Sequence, residues 1–359
     1  MTILHIASIH NDPFSGVCVS VPQHIAAQKK HANVGFINVN NESIDCIDCQ
    51  MPYLGGKFLK SLPAPFNKPD LVIFHEIYIP QYLSISAKLR SNNIPYVIVP
   101  HGSLTVDAQR KKWLKKKVAN FFLFNRFVKN AVAIQCLSDG EIYRSKVRIS
   151  KFIGTNGIQL PSRSKEQFSS NGVHFVFIGR LDPYIKGLDL LFQAIAEIKV
   201  FLLERSCHVE IFGPEQNSSG AELHRMILEH GIANLVTLHP AVTKAVKEEI
   251  LLAADVFVQT SRTEGMPMGI LEALSYGLPC LVTEGTTLAS IISTADAGWS
   301  CKTSAESISE AMMKAVIEKD SYLNKSVNAR ALAAKEFQWE SVAMNTIEMY
   351  KQLISFKDA

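Results

Sequence analysis

The chain has 359 residues, 47% of them apolar and 19% charged, and it nets +4 from 37 Lys and Arg against 33 Asp and Glu. This composition excludes a disordered or collagen-like chain, no apolar run is long enough to span a bilayer as a helix, and the length exceeds one usual domain, so two are expected. Seven scattered cysteines, with a lone C-x-x-C at Cys46 and Cys49, exclude a disulfide scaffold and a paired zinc site, and fit a reducing cytoplasm.

In chain order, residues 2–7 lack both the basic flank and the apolar length of a secretory signal and instead open a strand over 3–7. Further short β-branched runs predict strands at 34–39, 71–74, 96–99, 131–136 and 152–153, with helices at 20–30, 81–91 and 104–129. The polar, Ser-rich stretch 161–172 reads as an interdomain linker. The alternation then restarts, with strands at 173–178, 207–212, 235–238, 255–259 and 280–283 and helices at 188–199, 221–231, 244–253 and 268–276. Strands that alternate with helices imply parallel sheets covered on both faces, so the expected fold is α/β, with two Rossmann-like domains facing each other across a cleft. The expected boundaries are 1–165 for the first domain and 166–339 for the second, and no fixed-period repeat occurs.

Ligands of such sheets bind beyond the carboxyl ends of the strands, which selects the loops that matter. After the first strand, His10–Val17 is turn-rich and enters a helix. Gly16 would admit a phosphate or sugar close to the backbone, or serve an ordinary turn. After the fourth strand comes Pro100-His101-Gly102-Ser103, where His101 can bond a sugar or cap the next helix. Asn156-Gly157-Ile158 is a turn by composition, and Ser138-x-x-Glu141 has the form of a capping box with no chemistry assigned. In the second half, Arg180 ends a strand and Lys186 precedes a helix. The two cations suit a diphosphate, the guanidinium as a fork of donors and the ammonium as a point charge, or they belong to a surface salt-bridge loop. Finally, Arg262 to Glu272 runs from a strand into a helix with Pro267 suited to its first turn. Free amides there, beside Gly265 and Gly269, form an anion or sugar-hydroxyl site, with Glu264 in the loop and Glu272 one to two turns into the helix. The plain alternative is a strand-turn-helix packing unit in which Glu264 favours the helix dipole.

Arg180 and Lys186, followed by Glu264 and Glu272 with seven residues between the carboxylates, resemble the signature of the family 4 retaining glycosyltransferases of the group 1 type. The resemblance runs along nearly the whole chain and is strongest over 173–283. It implies the GT-B architecture, with a nucleotide-sugar donor, UDP- or GDP-linked, in the C-terminal domain and the acceptor in the N-terminal one. By the same resemblance, Arg180 and Lys186 neutralise the leaving diphosphate, Glu272 holds the ribose, and Glu264 with the backbone of Gly265, Met266, Pro267 and Met268 contacts the transferred sugar. Gly16 would lie near the phosphates and His101 near the sugar, no metal or other cofactor would be needed, and a last helix over 340–359 would return to the N-terminal domain. Relatives often carry Gly-Gly where this chain has Ser15-Gly16, a glycine where it has His239-Pro240-Ala241, and an acid where it has Gln159; the second change bears on recognition of the base.

Outside the motif, residues 108–138 carry eight Lys or Arg and no acid, so the remainder of the chain nets −4. Lys111, Lys112, Lys115, Lys116 and Lys117 around Trp113, with an apolar helical stripe, fit an anionic membrane surface, although the same stripe equally suits a core-facing helix. Nucleic acid is not expected, because no binding-module pattern accompanies the charge. These features predict a cytoplasmic transferase, peripheral on the inner face of the plasma membrane, that builds a surface polysaccharide on a lipid-linked or lipopolysaccharide-type acceptor. Another GT-B enzyme (an epimerase or a sugar phosphorylase) and a non-catalytic membrane scaffold are the alternatives.

Overall fold

The computed structural model describes residues 1–13, 15–105, 123–145, 147–215 and 219–355. These form two compact units: Met1–Gly157 with Trp339–Ala359, and Ile158–Gln338. Most of the helix expected over 104–129, with Lys111, Lys112, Trp113, Lys115, Lys116 and Lys117, lies outside the described residues. Its described start differs from the expectation, since Leu104 and Thr105 belong to a turn and an isolated bridge, whereas its described end agrees, with α-helix over Asn125–Lys129.

Unit 1 is built on β1 (Thr2–Ala7), β2 (Asn33–Asn38), β3 (Gln50–Met51), β4 (Leu71–His75), β5 (Tyr96–Val99), β6 (Ala133–Cys136) and β7 (Lys151–Ile153). All pair in parallel, in the order β3-β2-β1-β4-β5-β6-β7. The connecting helices are α1 (Gly16–Gln28), α2 (Phe58–Ser61), α3 (Gln81–Ser91), α4 (Asn125–Lys129) and α5 (Asp139–Arg144). Because both faces are covered, the strands read as continuous apolar runs without alternation, and one core forms around Leu4, Ile6, Phe74, Tyr82, Tyr96 and Ile98.

Unit 2 repeats the plan with β8 (His174–Ile178), β9 (His208–Phe212), β10 (Val236–His239), β11 (Val256–Gln259), β12 (Cys280–Thr283) and β13 (Gly298–Cys301), in the order β10-β9-β8-β11-β12-β13. Its helices are α6 (Leu188–Glu197), α7 (Lys199–Glu204), α8 (Ser219–Glu229), α9 (Lys244–Ala253), α10 (Met268–Ser275), α11 (Ala289–Thr294), α12 (Ala305–Ile317) and α13 (Tyr322–Glu336). Successive residues of β8 face opposite sides: Phe175 and Phe177 join one core, and Val176 joins the other. The segment expected as a linker, 161–172, has neither helix nor strand but is fastened to this unit. Lys165 donates from its backbone to Tyr276 O at 2.7 Å and from Nζ to Leu252 O at 2.9 Å, and Ser169 N donates to Asp255 Oδ1 at 2.8 Å.

The chain returns to unit 1 as α14 (Trp339–Ser355), which packs on α1. His24 Nε2 donates to Asn156 Oδ1 at 3.1 Å, and the ring meets that of Trp339 edge-on at 4.6 Å. Gly157 makes room for that ring, since a Cβ there would sit 2.4 Å from Trp339 Cδ2. The Asn156-Gly157-Ile158 stretch is thus an extended seat for α14 and the crossing point between units, not a turn.

Burial of histidines without a counter-charge sets a pH dependence. Burial lowers His5 from 6.5 to about 3 and His24 from 6.5 to about 4. Between those values the unfolded chain binds protons that the folded unit refuses, so their contribution is intact above about pH 6.5 and lost as pH falls toward 4. Each histidine contributes a slope of roughly 1.4 kcal/mol per pH unit in that window. Urea unfolding of unit 1 is therefore expected at clearly lower midpoint at pH 5 than at pH 7; equal midpoints would contradict the burial of these rings as neutral species.

Candidate functional site

In unit 2 the strand order reverses between β8 and β11, so the loops leaving these two strands lie side by side at the carboxyl edge. The loop after β8 is a tight turn: Ile185 N donates to Asp182 Oδ1 at 2.8 Å and Lys186 N to Asp182 O at 3.1 Å. Gly187 then adopts φ +64°, and a Cβ on it would come within 2.0 Å of Thr260 O, which only glycine avoids. Thr260 Oγ1 donates to Gly187 O at 2.9 Å, and Arg262 N donates to Ile185 O at 2.9 Å. Arg262 also grips Asp189 with both guanidinium nitrogens, at 2.6 and 2.8 Å, and lies 4.2 Å over the Tyr184 ring. Sequence reasoning missed Arg262; its place inside the Arg262–Glu272 run was the available signal.

Clamped in this way, Lys186 and Glu264 meet. Lys186 Nζ donates to Glu264 Oε1 at 2.5 Å, and the same oxygen accepts from Ser261 Oγ at 2.7 Å and Gln259 Nε2 at 2.9 Å. With side chains only 15% and 14% exposed, this pair is little screened by solvent. Arg180 stands at the end of β8, exposed, and its guanidinium has no partner among the described residues. The expected convergence of Arg180 and Lys186 is therefore divided: one cation holds a carboxylate, and the other is presented to solvent.

Pro267 is the N-cap of α10, one residue before the first turn where it was expected, and Ile270 N and Leu271 N bond back to its carbonyl. The amides of Met268 and Gly269 have no carbonyl one turn earlier to satisfy them. Gly269 brings that turn against the sheet, since its Cβ would lie 3.0 Å from Ile178 O. Glu272 follows on α10 and chelates Lys247 Nζ of α9 with both oxygens, at 2.6 and 2.8 Å. Lys247 is a second residue that no motif flagged. Beside this edge, a pocket of about 410 Å³ opens past β9 and β10, lined by Leu181, Gly213, Pro214, His224, His239 and Ala241. His239 stacks on Phe212 at 4.3 Å and bonds through Nε2 to Glu210 Oε1 at 2.8 Å, so the first residue of the His239-Pro240-Ala241 stretch is held in a fixed orientation. Among the described residues, one group could hold a metal ion: His174, His208 and Glu210, with ligand atoms within 4.8 Å of one another. Its two histidines begin β8 and β9, at the opposite edge of the sheet from Glu264.

In unit 1, Gly16 is the first residue of α1, and the space where its Cβ would stand is open to 4 Å. His101 follows β5 in the left-handed region at φ +48°, ahead of Gly102 at φ +81°. Glu141 holds this turn: Oε1 accepts from Gly102 N at 2.6 Å and Oε2 from Leu137 N at 2.7 Å. Burial raises the pKa of Glu141 while those two amides oppose the rise. Ser138 does cap α5, accepting from Glu141 N at 3.3 Å. The capping pattern is thus real, but its glutamate also fixes the His101 turn, a role that spacing alone does not reveal.

Residues 160–332 match the family described as Glycosyl transferases group 1. A D-inositol 3-phosphate glycosyltransferase of Arthrobacter sp. is 25% identical over 189 residues, 53% of this chain and 45% of the relative. O-antigen chain mannosyltransferase B of Escherichia coli is 35% identical over 102 residues, 28% of this chain and 26% of that one. The chain thus spans less than half the length of these curated relatives. Among solved structures, a sucrose-phosphate synthase from Thermosynechococcus elongatus superposes with a TM-score of 0.74 at 18% identity, covering 99% of this chain and all of the other. That likeness shows the fold, GT-B, as the family resemblance implied.

The buried pair can be tested without any ligand. Lys186→Met leaves the Glu264 carboxylate with neutral donors only, and removal of a hydrogen bond to a charged group costs roughly 1.5–3 kcal/mol. The double variant Lys186→Met with Glu264→Gln is expected to recover part of that loss in a denaturation cycle. Strictly additive losses would mean that the two side chains do not interact.

Proposed function

From the premise that residues 160–332 belong to the glycosyl transferases group 1 family, we propose that this chain is a retaining glycosyltransferase of the family 4 type. It moves a hexose or related sugar from a UDP- or GDP-linked donor to a lipid-linked or lipopolysaccharide-type acceptor in surface polysaccharide synthesis. The observation that carries this reading is the Lys186–Glu264 contact at the strand-order reversal, with Arg180 unengaged beside it and the first amides of α10 close by. A donor diphosphate supplies the anion that Arg180 lacks and competes with Glu264 for Lys186. Once Lys186 turns to phosphate, Glu264 keeps Ser261 and Gln259 as donors and offers its charge to the sugar. Charge then grows on the leaving phosphate and on the anomeric carbon, and the two cations stabilise the first of these.

In the retaining scheme that the resemblance implies, the anomeric carbon loses its bond to the phosphate oxygen and gains one to the acceptor oxygen on the same face. The departing phosphate oxygen takes the acceptor's proton. Gly16 and His101 of unit 1 keep the roles given by the resemblance, toward phosphate and sugar. No metal is required, because Arg180, Lys186 and the α10 amides act on the phosphates. The O-antigen mannosyltransferase among the relatives supports a glycan acceptor. No helix among the described residues is long and apolar enough to cross a membrane. Peripheral attachment, placed at the inner face of the plasma membrane, rests instead on the basic run Lys111 to Lys117 around Trp113.

The two carboxylates separate binding from turnover. Glu272→Gln is expected to weaken nucleoside diphosphate binding by roughly ten- to a hundredfold, the worth of a charged hydrogen bond. Glu264→Gln removes the competitor for Lys186, so it should leave that affinity intact or raise it while depressing turnover. Calorimetry and steady-state kinetics on both variants decide, and equal losses of nucleotide affinity would remove the role given to Glu264. The product should keep the donor's anomeric configuration in the presence of chelator; an inverted product would end the family 4 assignment.

For the membrane, replacing Lys115, Lys116 and Lys117 with Gln should lower sedimentation with anionic liposomes and activity on a lipid-linked acceptor, with donor affinity unchanged. Liposome binding that ignores both these changes and added salt would refute surface attachment.

A further inference from the structure

Three histidines cross the sheet of unit 1 in a diagonal. His5 of β1 is in register with Ile73 of β4, so His75 stands two residues further along on the same face. His75 is in register with Val99 of β5, and His101 stands two residues beyond that. The side chains bond in series: Gln28 Oε1 to His5 Nε2 at 3.0 Å, His5 Nδ1 to His75 Nε2 at 2.9 Å, and His75 Nδ1 to His101 Nε2 at 3.1 Å. From these contacts we infer that Gln28, acting through His5 and His75, sets which ring nitrogen of His101 carries the proton, so that all three are positioning residues for His101.

The argument is one of donor and acceptor counting. Burial pushes His5 and His101 down to about 3 and His75 well below its usual value, so each ring is neutral at pH 7 and has one N–H and one lone pair. A series of such rings has a single polarity. If His5 donates from Nε2 to Gln28, its Nδ1 can only accept, so His75 must donate from Nε2. His75 Nδ1 then accepts, and His101 must donate from Nε2, which leaves its Nδ1 bare.

The polarity starts at Gln28, whose amide oxygen faces His5 Nε2 at 3.0 Å and can only accept.

The consequence for chemistry rests on the proposed glycosyl transfer: a bare Nδ1 accepts from a sugar hydroxyl, whereas the opposite tautomer would donate. The tautomer itself is measurable without any substrate. Protein labelled with ring-¹⁵N histidine, with signals assigned by loss in His101→Gln, is expected in long-range ¹H–¹⁵N spectra at pH 7 to show His5, His75 and His101 each protonated on Nε2 alone. A His101 protonated on Nδ1, on both nitrogens, or on an even mixture overturns the inference. Gln28→Met, which removes the acceptor, should give a mixture at His101, and Gln28→Glu, an acceptor only, should keep the wild-type spectrum. A wild-type spectrum in Gln28→Met also overturns it. Should Gln28→Met fail to fold, the wild-type tautomers of His5, His75 and His101 decide alone. In turnover, Gln28→Met should lose roughly three- to tenfold in kcat, one neutral hydrogen bond's worth, with Gln28→Glu recovering most of it. Wild-type spectra as expected in a protein that transfers no sugar would sink the proposed function and leave the relay standing.

Discussion

The carboxyl edge of unit 2 is organised around one contact, the bond between Lys186 and Glu264 across the gap where strand order reverses. Neither residue could reach the other without the loops being drawn together, and that closeness is steric before it is electrostatic. Gly187 admits the Thr260 carbonyl, Gly213 admits the Gly179 carbonyl and Gly285 admits the Ser261 carbonyl, each to a distance that any side chain would forbid. The Arg262–Asp189 fork then holds the loops in register. The carboxylate is held by neutral hydroxyl and amide donors as well as by the cation, so it stays satisfied when the cation is drawn away.

Much of the fold was legible because parallel strands covered on both sides are written as uninterrupted β-branched runs. The fourteen residues of β8, β9 and β11 needed no more than that pattern to be placed. Elements whose signal is weaker were not anticipated: β13 contains Gly298 and Trp299 in a four-residue strand, β3 has two residues, and α12 and α13 lie beyond the last strand that the pattern marked. The helix start at 104 failed because the His101–Gly102 turn continues through Thr105, which bonds back to Gly102 O and bridges to Ser145. Composition marks 161–172 as a linker, yet Asp255 and Lys165 tie that polar stretch down, a partnership of residues some 90 positions apart.

The site shows the same division. Arg180, Lys186, Glu264 and Glu272 were visible because their spacing along the chain carries a pattern. Lys247, which grips Glu272, and Glu141, which grips the His101 turn, were not, because each acts on a partner brought by tertiary structure from a different element. His5 and His75 are the sharper case. Each is a single polar residue inside an apolar strand, and only the strand register turns Leu-His-Ile and Phe-His-Glu into steps of one diagonal. A buried polar side chain in a parallel strand calls for a partner, and the partner is found by aligning the strands.

The return of α14 to unit 1 also governs the order in which the protein can be made. Unit 2 is continuous from Ile158 to Gln338, whereas unit 1 is assembled from two pieces that flank it. On the ribosome, residues 1–157 wait through the synthesis of an entire second unit with His24 lacking the Trp339 ring and Gln135 lacking the Tyr350 hydroxyl. Unit 2 can close on its own residues first, although it is translated second. The nascent first unit therefore spends that interval with the face of α1 that α14 packs on uncovered, at the stage when a chain is most open to association with its neighbours.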